Sequence, residues 1–200
     1  QKEGSSRDTA TLVWALKACA SLNDAFRGQE IHAEIYRKCL ENDASLGNSL
    51  VGMYAKCGLL EEAEAVFDKF SVPSVISWTA LMSGYMEHGH PEQALCCFEH
   101  MQRNDISLDV SALICSLRAC SSVGTVGKGH EMHTIIIKAS FLEGDIIIGN
   151  TLIDMYSKYG DLREASIIFD ELPVHDVVTY STIMEGLVGH DEFIPALELY

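Results

Sequence analysis

The chain has 200 residues, 48% of them hydrophobic and 22% charged, with a formal net charge of −15. That balance suits a folded domain or a short repeat array and excludes a disordered tail, and no run approaches the ~18 consecutive apolar residues of a membrane span. The acidic surplus argues against indiscriminate binding to polyanions, and seven cysteines without a C-x-x-C pair argue against a zinc ribbon or a disulfide framework.

The opening residues, QKEGSSRDTA, carry neither a signal-peptide apolar core nor an Arg-rich, acid-poor transit character, and the closing PALELY stops inside an apolar helical pattern. The chain therefore reads as a piece of a longer protein. It is also written twice. GNSLVGMYAKCG at residues 47–58 returns as GNTLIDMYSKYG at 149–160, LKACASL at 16–22 as LRACSSV at 117–123, and SVISWTALMSGY as DVVTYSTIMEGL. The offset is 101 before Leu40 and 102 after it, which places a one-residue deletion near residues 37–40.

Within each copy three helix-pair patterns follow one another. Residues 1–8 form a flank, and residues 9–43 carry LKACASL and GQEIHAEI as the halves of a first pair. In residues 44–74, Leu50, Met53 and Tyr54 make one apolar stripe, Gly58 ends it, and Ala63, Val66, Phe67 and Phe70 make a second. In residues 75–109, Trp78, Leu81, Met82 and Tyr85 fall at i, i+3, i+4 and i+7, and Ala94, Cys97, Phe98 and Met101 repeat the spacing. Between these stripes Gly89 closes the first helix in a left-handed cap and Pro91 opens the second, where its missing N–H costs nothing. Residues 110–145, 146–176 and 177–200 replay the three in order, the last cut short. The repeat-equivalent Cys19 and Cys120 sit among apolar neighbours and read as small core residues.

One helix pair cannot bury both of its stripes, and each buried apolar side chain contributes about 1.5–3 kcal/mol, so pairs must stack on their neighbours. The predicted fold is all-α: a right-handed α-solenoid of stacked antiparallel helix pairs. The β-branched run DIIIG is short and leads into a helix cap, so it is not read as a strand.

At this point VISWTALMSGYMEHGHPEQALCCFEHMQRNDISLD, GNSLVGMYAKCGLLEEAEAVFD and LRACSSVGTVGKGHEMHTIIIKASF resemble the standard, short and long motifs of the pentatricopeptide repeat family. Their alternation resembles the mixed-length subclass of plant organellar RNA-editing and RNA-processing factors. The likeness makes residues 9–43 and 110–145 long repeats, 44–74 and 146–176 short ones, and 75–109 and 177–200 standard ones, the last truncated. Departures are the deletion in the first long repeat, ISLD where the family usually has Lys-Pro before the Asp, and the acidic balance.

The resemblance implies a non-enzymatic module that binds single-stranded RNA in a mitochondrion or chloroplast, about one base per repeat, for C-to-U editing or processing. Organellar RNA is the implied partner, with other editing factors beside it. No cofactor, metal, membrane or small-molecule substrate is implied. The base is chosen by one residue early in the first helix and one at the end of the repeat: Asn48 with Ser74, Thr79 with Asp109, Asn150 with Asp176, and Ser181 with its partner beyond the chain. Similarity to the family's code gives cytosine, guanine, uracil and a purine, or 5′-C-G-N-U-purine-3′. The long repeats place Val13 and Ile114 at the reading position, with Asp43 and Asp145 at the end, and an aliphatic side chain offers no base-specific hydrogen bond, so these read as spacers. Ile76, Ile147 and Val178 sandwich bases through apolar contact, which Ala10, Ser45 and Ser111 would do poorly. Eight residues is about 2.2 helical turns, so Lys56 and Lys158 share a face with Asn48 and Asn150 and are placed to meet phosphate. The same step elsewhere gives Glu87, Gly189, Ser21 and Ser122, so weak, salt-sensitive binding is expected.

Plainer explanations stand beside these. Asn near a helix start is a good N-cap, and Thr79 and Ser181 could cap equally. Lys56 and Lys158 suit a helix C-terminus. His32-Ala33-Glu34 matches half of the zinc deaminase signature, but P-C-x-x-C is missing and the duplicate reads His133-Thr134-Ile135. HEMH is one residue short of H-E-x-x-H, so His130 and His133, like His88 and His90, read as packing or exposed histidines rather than metal ligands. The acidic clusters LEEAE and DLREA open second helices, where carboxylates suit the dipole. The competing function is a helical scaffold for a basic or peptide partner, which the charge of −15 favours. The polar pair, present in both short repeats and the intact standard repeat, favours RNA.

Overall fold

The computed structural model describes residues 2–69, 74–139 and 145–199, with side chains from residue 8 onward. Among these residues every regular element is a helix, and none is long and apolar enough to cross a membrane. Two compact units emerge, Gln1–Ser107 and Leu108–Tyr200. The first holds α1 (Lys2–Leu22), α2 (Ala25–Arg37), α3 (Ala44–Lys56), α4 (Leu60–Phe67), α5 (Val75–Glu87) and α6 (Pro91–Arg103). The second holds α7 (Val110–Val123), α8 (Val126–Lys138), α9 (Ile146–Tyr159), α10 (Leu162–Glu171), α11 (Val177–Gly189) and α12 (Phe193–Glu198). Helix α1 runs on from Lys2, so the residues expected as a flank continue the first helix.

Local chemistry sets where these helices start and stop. Asp43 has extended backbone and accepts the N–H groups of Ser45 and Leu46 at 2.9 and 3.1 Å, opening α3. Ser74, Asp109, Asp145 and Asp176 open α5, α7, α9 and α11 in the same way. At the far end of α5, Gly89 takes a φ of +78° and lets His90 N–H reach the Tyr85 carbonyl at 2.8 Å. Pro91 follows at the first position of α6. This is the tight hairpin expected from EHGHPEQA.

Each unit stacks hairpins so that the first helices form one layer. In the first unit α3 packs against both α1 and α5, with α2, α4 and α6 beside their partners; in the second, α9 packs against α7 and α11. The apolar stripes meet inside: Leu50, Met53, Tyr54, Ala63, Val66, Phe67, Leu81, Met82, Tyr85, Ala94, Cys97, Phe98 and Met101 are all buried, as are Cys19 and Cys120. Trp78 is half-buried, edge-on to Phe67 at 4.5 Å between centroids. Phe70, expected in the same stripe, lies outside the described residues.

Polar groups tie second helices to the next first helix. His32 Nδ1 lies 2.8 Å from the Tyr54 hydroxyl, and His133 and His130 Nδ1 lie 2.9 and 3.0 Å from that of Tyr156. Burial lowers the pKa of His32 and His133 and pushes both tyrosines up to about 12, so these groups pack as neutral hydrogen-bonding side chains.

The layer of first helices depends on small residues where they cross. A methyl group added at Gly84 on α5 would lie 2.6 Å from Ala55 Cβ and 3.1 Å from the Ala55 backbone on α3. The repeat-equivalent Gly186 on α11 meets Ser157 on α9 in the same way, with the Ser157 Cβ at 2.6 Å. Gly52, by contrast, would find only Ala80 Cβ at 3.9 Å. Gly84→Ala should therefore lower the unfolding free energy by about 1–3 kcal/mol through overpacking, although Ala is the better helix former. Gly52→Ala should be neutral or stabilising by about 0.5–1 kcal/mol. Urea unfolding of both variants checks this; equal effects at the two glycines would contradict the crossing.

Candidate nucleic-acid interface

Because five first helices open on Asp or Ser caps, Asn48 and Asn150 are not needed as caps and lie one turn further in. Thr79 and Ser181 are likewise interior: Thr79 donates back to the Val75 carbonyl at 2.9 Å, and Ser181 to that of Val177 at 2.7 Å. The capping residues are instead Asp43, Ser74, Asp109, Asp145 and Asp176, the terminal residues of the expected repeats. Sequence reasoning gave three of these a base-reading role and missed that each also starts a helix.

Two of the expected pairs are brought together within a unit. In the first, the Ser74 hydroxyl donates to Asn48 Oδ1 at 3.0 Å. Ser74 Oγ already accepts the Ser77 N–H at 3.2 Å, and its proton is what remains to offer Asn48. Asn48 Oδ1 is thereby occupied and its NH2 group left free. In the second unit the partner is a carboxylate, which only accepts. The Asp176 pKa is lowered by the Thr179 backbone N–H first, then the Thr179 hydroxyl, with a further hydrogen bond from the Asn150 side chain. Asn150 turns its NH2 group to Asp176, and its buried Oδ1 has no partner. The same residue type at equivalent positions thus keeps a spare donor in one unit and a spare, buried acceptor in the other. Thr79 belongs to the first unit and Asp109 to the second.

Both asparagines line grooves built from three successive first helices. A groove of about 640 Å³ holds Asn48 with Val13, Lys17, Ser45, Ile76 and Ala80; its counterpart of about 300 Å³ holds Asn150 with Arg118, Ile147, Asp154, Asp176 and Val178. Ile76, Ile147 and Val178 are 64%, 55% and 57% exposed, which leaves apolar walls free to cover a flat ligand. Lys56 and Lys158 sit in the last turns of α3 and α9, and both are engaged locally: Lys56 lies 3.8 Å from Glu87, and Lys158 lies 2.8 Å from Asp154. Lys17 and Arg118 were not among the sequence candidates, although LKAC and LRAC set a base at the same step of both copies.

An unsatisfied buried carbonyl costs about 1–3 kcal/mol, and Asn is a poorer helix residue than Ala. Asn150→Ala should therefore leave the unfolding free energy unchanged or raise it, while Asp176→Ala, which removes a cap, lowers it by about 1 kcal/mol. Denaturant titration reads both, and a loss at Asn150 as large as that at Asp176 would make the asparagine a structural residue.

A model described as the PPR repeat family matches residues 73–121, and one described as the PPR repeat matches residues 48–71 and 150–177. Three pentatricopeptide repeat-containing proteins of Arabidopsis thaliana, one named chloroplastic and another mitochondrial, are each 33% identical over 88%, 90% and 92% of this chain. The chain spans only 25%, 30% and 29% of their lengths. The crystal structure of the pentatricopeptide repeat protein PPR10 from maize superposes with a TM-score of 0.71 at 20% identity, over 94% of this chain and 28% of that one. PPR10 in complex with an 18-nt psaJ RNA element superposes with the same score over 92% of this chain and 28% of that one. That likeness shows the fold to be the helical-repeat solenoid expected from the stripes. With duplicated helix pairs, stacked hairpins and these matches in agreement, the chain belongs to the pentatricopeptide repeat family.

Proposed function

We propose that this chain is a sequence-specific single-stranded RNA-binding module, reading about one base per helical hairpin, that serves an organellar transcript in processing or C-to-U editing. The observation that carries this reading is the opposite presentation of Asn48 and Asn150 by their hairpin-end partners. Cytosine offers an acceptor at N3, and the free NH2 group of Asn48 complements it. Uracil carries N3–H, a donor, and the unpartnered Oδ1 of Asn150, buried in the free chain, complements that once RNA binding uncovers it. The assignment of cytosine to Asn48/Ser74 and uracil to Asn150/Asp176, first suggested by family resemblance, thus gains a hydrogen-bonding rationale from this chain's own geometry. Guanine for Thr79/Asp109 and a purine for Ser181 rest on the resemblance.

In this reading residues 9–43, 44–74, 75–109, 110–145, 146–176 and 177–200 are the long, short and standard repeats of the mixed-length subclass. Ile76, Ile147 and Val178 flank the bases, and Lys56 and Lys158 contribute phosphate contacts weakened by their carboxylate neighbours. The names of relatives as chloroplastic or mitochondrial support an organellar site of action, and the 18-nt RNA element in the PPR10 complex supports RNA as the partner. The total charge of −15 counts against RNA less than it first suggests. The residues lining the Asn48 groove include Lys17 and no carboxylate, while Glu61, Glu62 and Glu64 lie together on α4.

Ser74→Asp replaces a donor with an obligate acceptor, which should turn the Asn48 amide over. Fluorescence anisotropy with 5′-C-G-N-U-purine RNA and its single-base variants should show the preference at the first position move from cytosine to uracil, by about tenfold for roughly 1.4 kcal/mol of discrimination. Binding indifferent to that base in both proteins, or tighter binding of a basic peptide than of any RNA, would contradict the proposal.

A further inference from the structure

The lysines selected by counting along a helix are the ones the fold neutralises, Lys56 by Glu87 and Lys158 by Asp154. Two other cations stand in the grooves. Lys17 on α1 and Arg118 on α7 occupy the same step of the 101-residue offset, one beside Asn48 and the other beside Asn150. Both are exposed, and among the described residues neither has a carboxylate within ion-pairing distance. Lys17 Nζ is instead held 4.7 Å from the centre of the Trp14 ring, an arrangement that leaves its charge unneutralised. In a chain with 29 acidic and 14 basic residues, a cation kept clear of carboxylates at the same position in both copies is a marked departure from the average surface.

We propose that Lys17 and Arg118 are backbone-phosphate contacts, each holding the strand beside the nucleotide that Asn48 or Asn150 reads. This rests on the RNA reading above and assigns the long hairpins a part in it. Val13 and Ile114, one turn before these cations on the same helices, offer no base-specific hydrogen bond, so the long hairpin supplies charge where it supplies no reading. A cation reaching in from the preceding first helix fixes the position of the strand without selecting a base, which is the division of labour between phosphate and base contacts. Arg118 shares its groove with Asp154 and Asp176, and a planar guanidinium that binds phosphate through two N–H groups suits that more acidic setting better than a lysine would.

The test is the salt dependence of binding by the whole chain, using the matched RNA and a scrambled one between about 50 and about 200 mM KCl. Each phosphate contact on a single strand contributes a slope of about 0.7 in log K against log salt, so Lys17→Gln with Arg118→Gln should reduce the magnitude of the slope by about 1.4. Both RNAs should weaken alike, so that the ratio of their affinities is unchanged. The Lys17→Arg and Arg118→Lys pair should retain the slope, and thermal melting of all variants should match the parent. An unchanged slope in a double variant whose parent binds RNA overturns the phosphate role alone, as does a changed matched-to-scrambled ratio, which would mark a base contact. A parent that binds both RNAs equally, with the slope still falling in the variant, supports the cations while defeating base reading. A parent that binds no RNA overturns both.

Discussion

The close crossing of neighbouring first helices is the constraint on which the rest of this structure depends. Gly84 against Ala55 and Gly186 against Ser157 let α5 approach α3, and α11 approach α9, nearer than a pair of ordinary side chains would allow. At that spacing the terminal residue of one hairpin, which caps the next first helix, comes within hydrogen-bonding reach of a side chain one turn inside the previous one. Ser74 meets Asn48, and Asp176 meets Asn150, because capping and crossing fix both partners at once. Under the proposed RNA reading, stability and recognition share residues: Asp176 opens α11 and orients an amide. This sharing limits what can vary at the position, since Ser, Asp and Asn satisfy a helix start while most other side chains do not.

Much of the architecture was legible because helical periodicity is redundant. Leu81, Met82 and Tyr85 announce a buried face by spacing alone, and Gly89 with Pro91 announces the turn. The polar details were harder to see for a physical reason. Asn48 and Asp43 are both good caps five residues apart, and the sequence does not say which one the chain uses until the helix start is known. The orientation of each asparagine is set by a residue 26 positions later in the chain, through a contact that exists only after the hairpins stack. Lys17 and Arg118 escaped notice for a related reason. Counting along one helix finds neighbours on that helix, whereas these cations reach their grooves from the preceding one.

The two units also show how a duplicated scaffold diverges in chemistry with little change in shape. Ser74 and Asp176 occupy the same place and do the same capping work, yet one can donate to the asparagine and the other can only accept. A single hydroxyl-to-carboxylate difference thereby reverses which end of the amide the capping residue engages. The accompanying walls stay apolar, through Ile76 in one unit and Ile147 and Val178 in the other, so the contact surface for a flat ring is kept while its hydrogen-bond complement changes.

The central claim, that stacked hairpins hold these two amides ready for bases of opposite hydrogen-bonding character, is tested most directly by NMR of the chain labelled with 15N at asparagine. On adding 5′-C-G-N-U-purine RNA, the side-chain NH2 resonances of Asn48 should shift strongly as they gain an acceptor. Those of Asn150 should shift less, since its NH2 group already faces Asp176, and the Asn48 shift should collapse when the cytosine is replaced by uracil. Side-chain resonances of Asn48 and Asn150 that stay in place while bound RNA perturbs signals from the second helices would contradict the account.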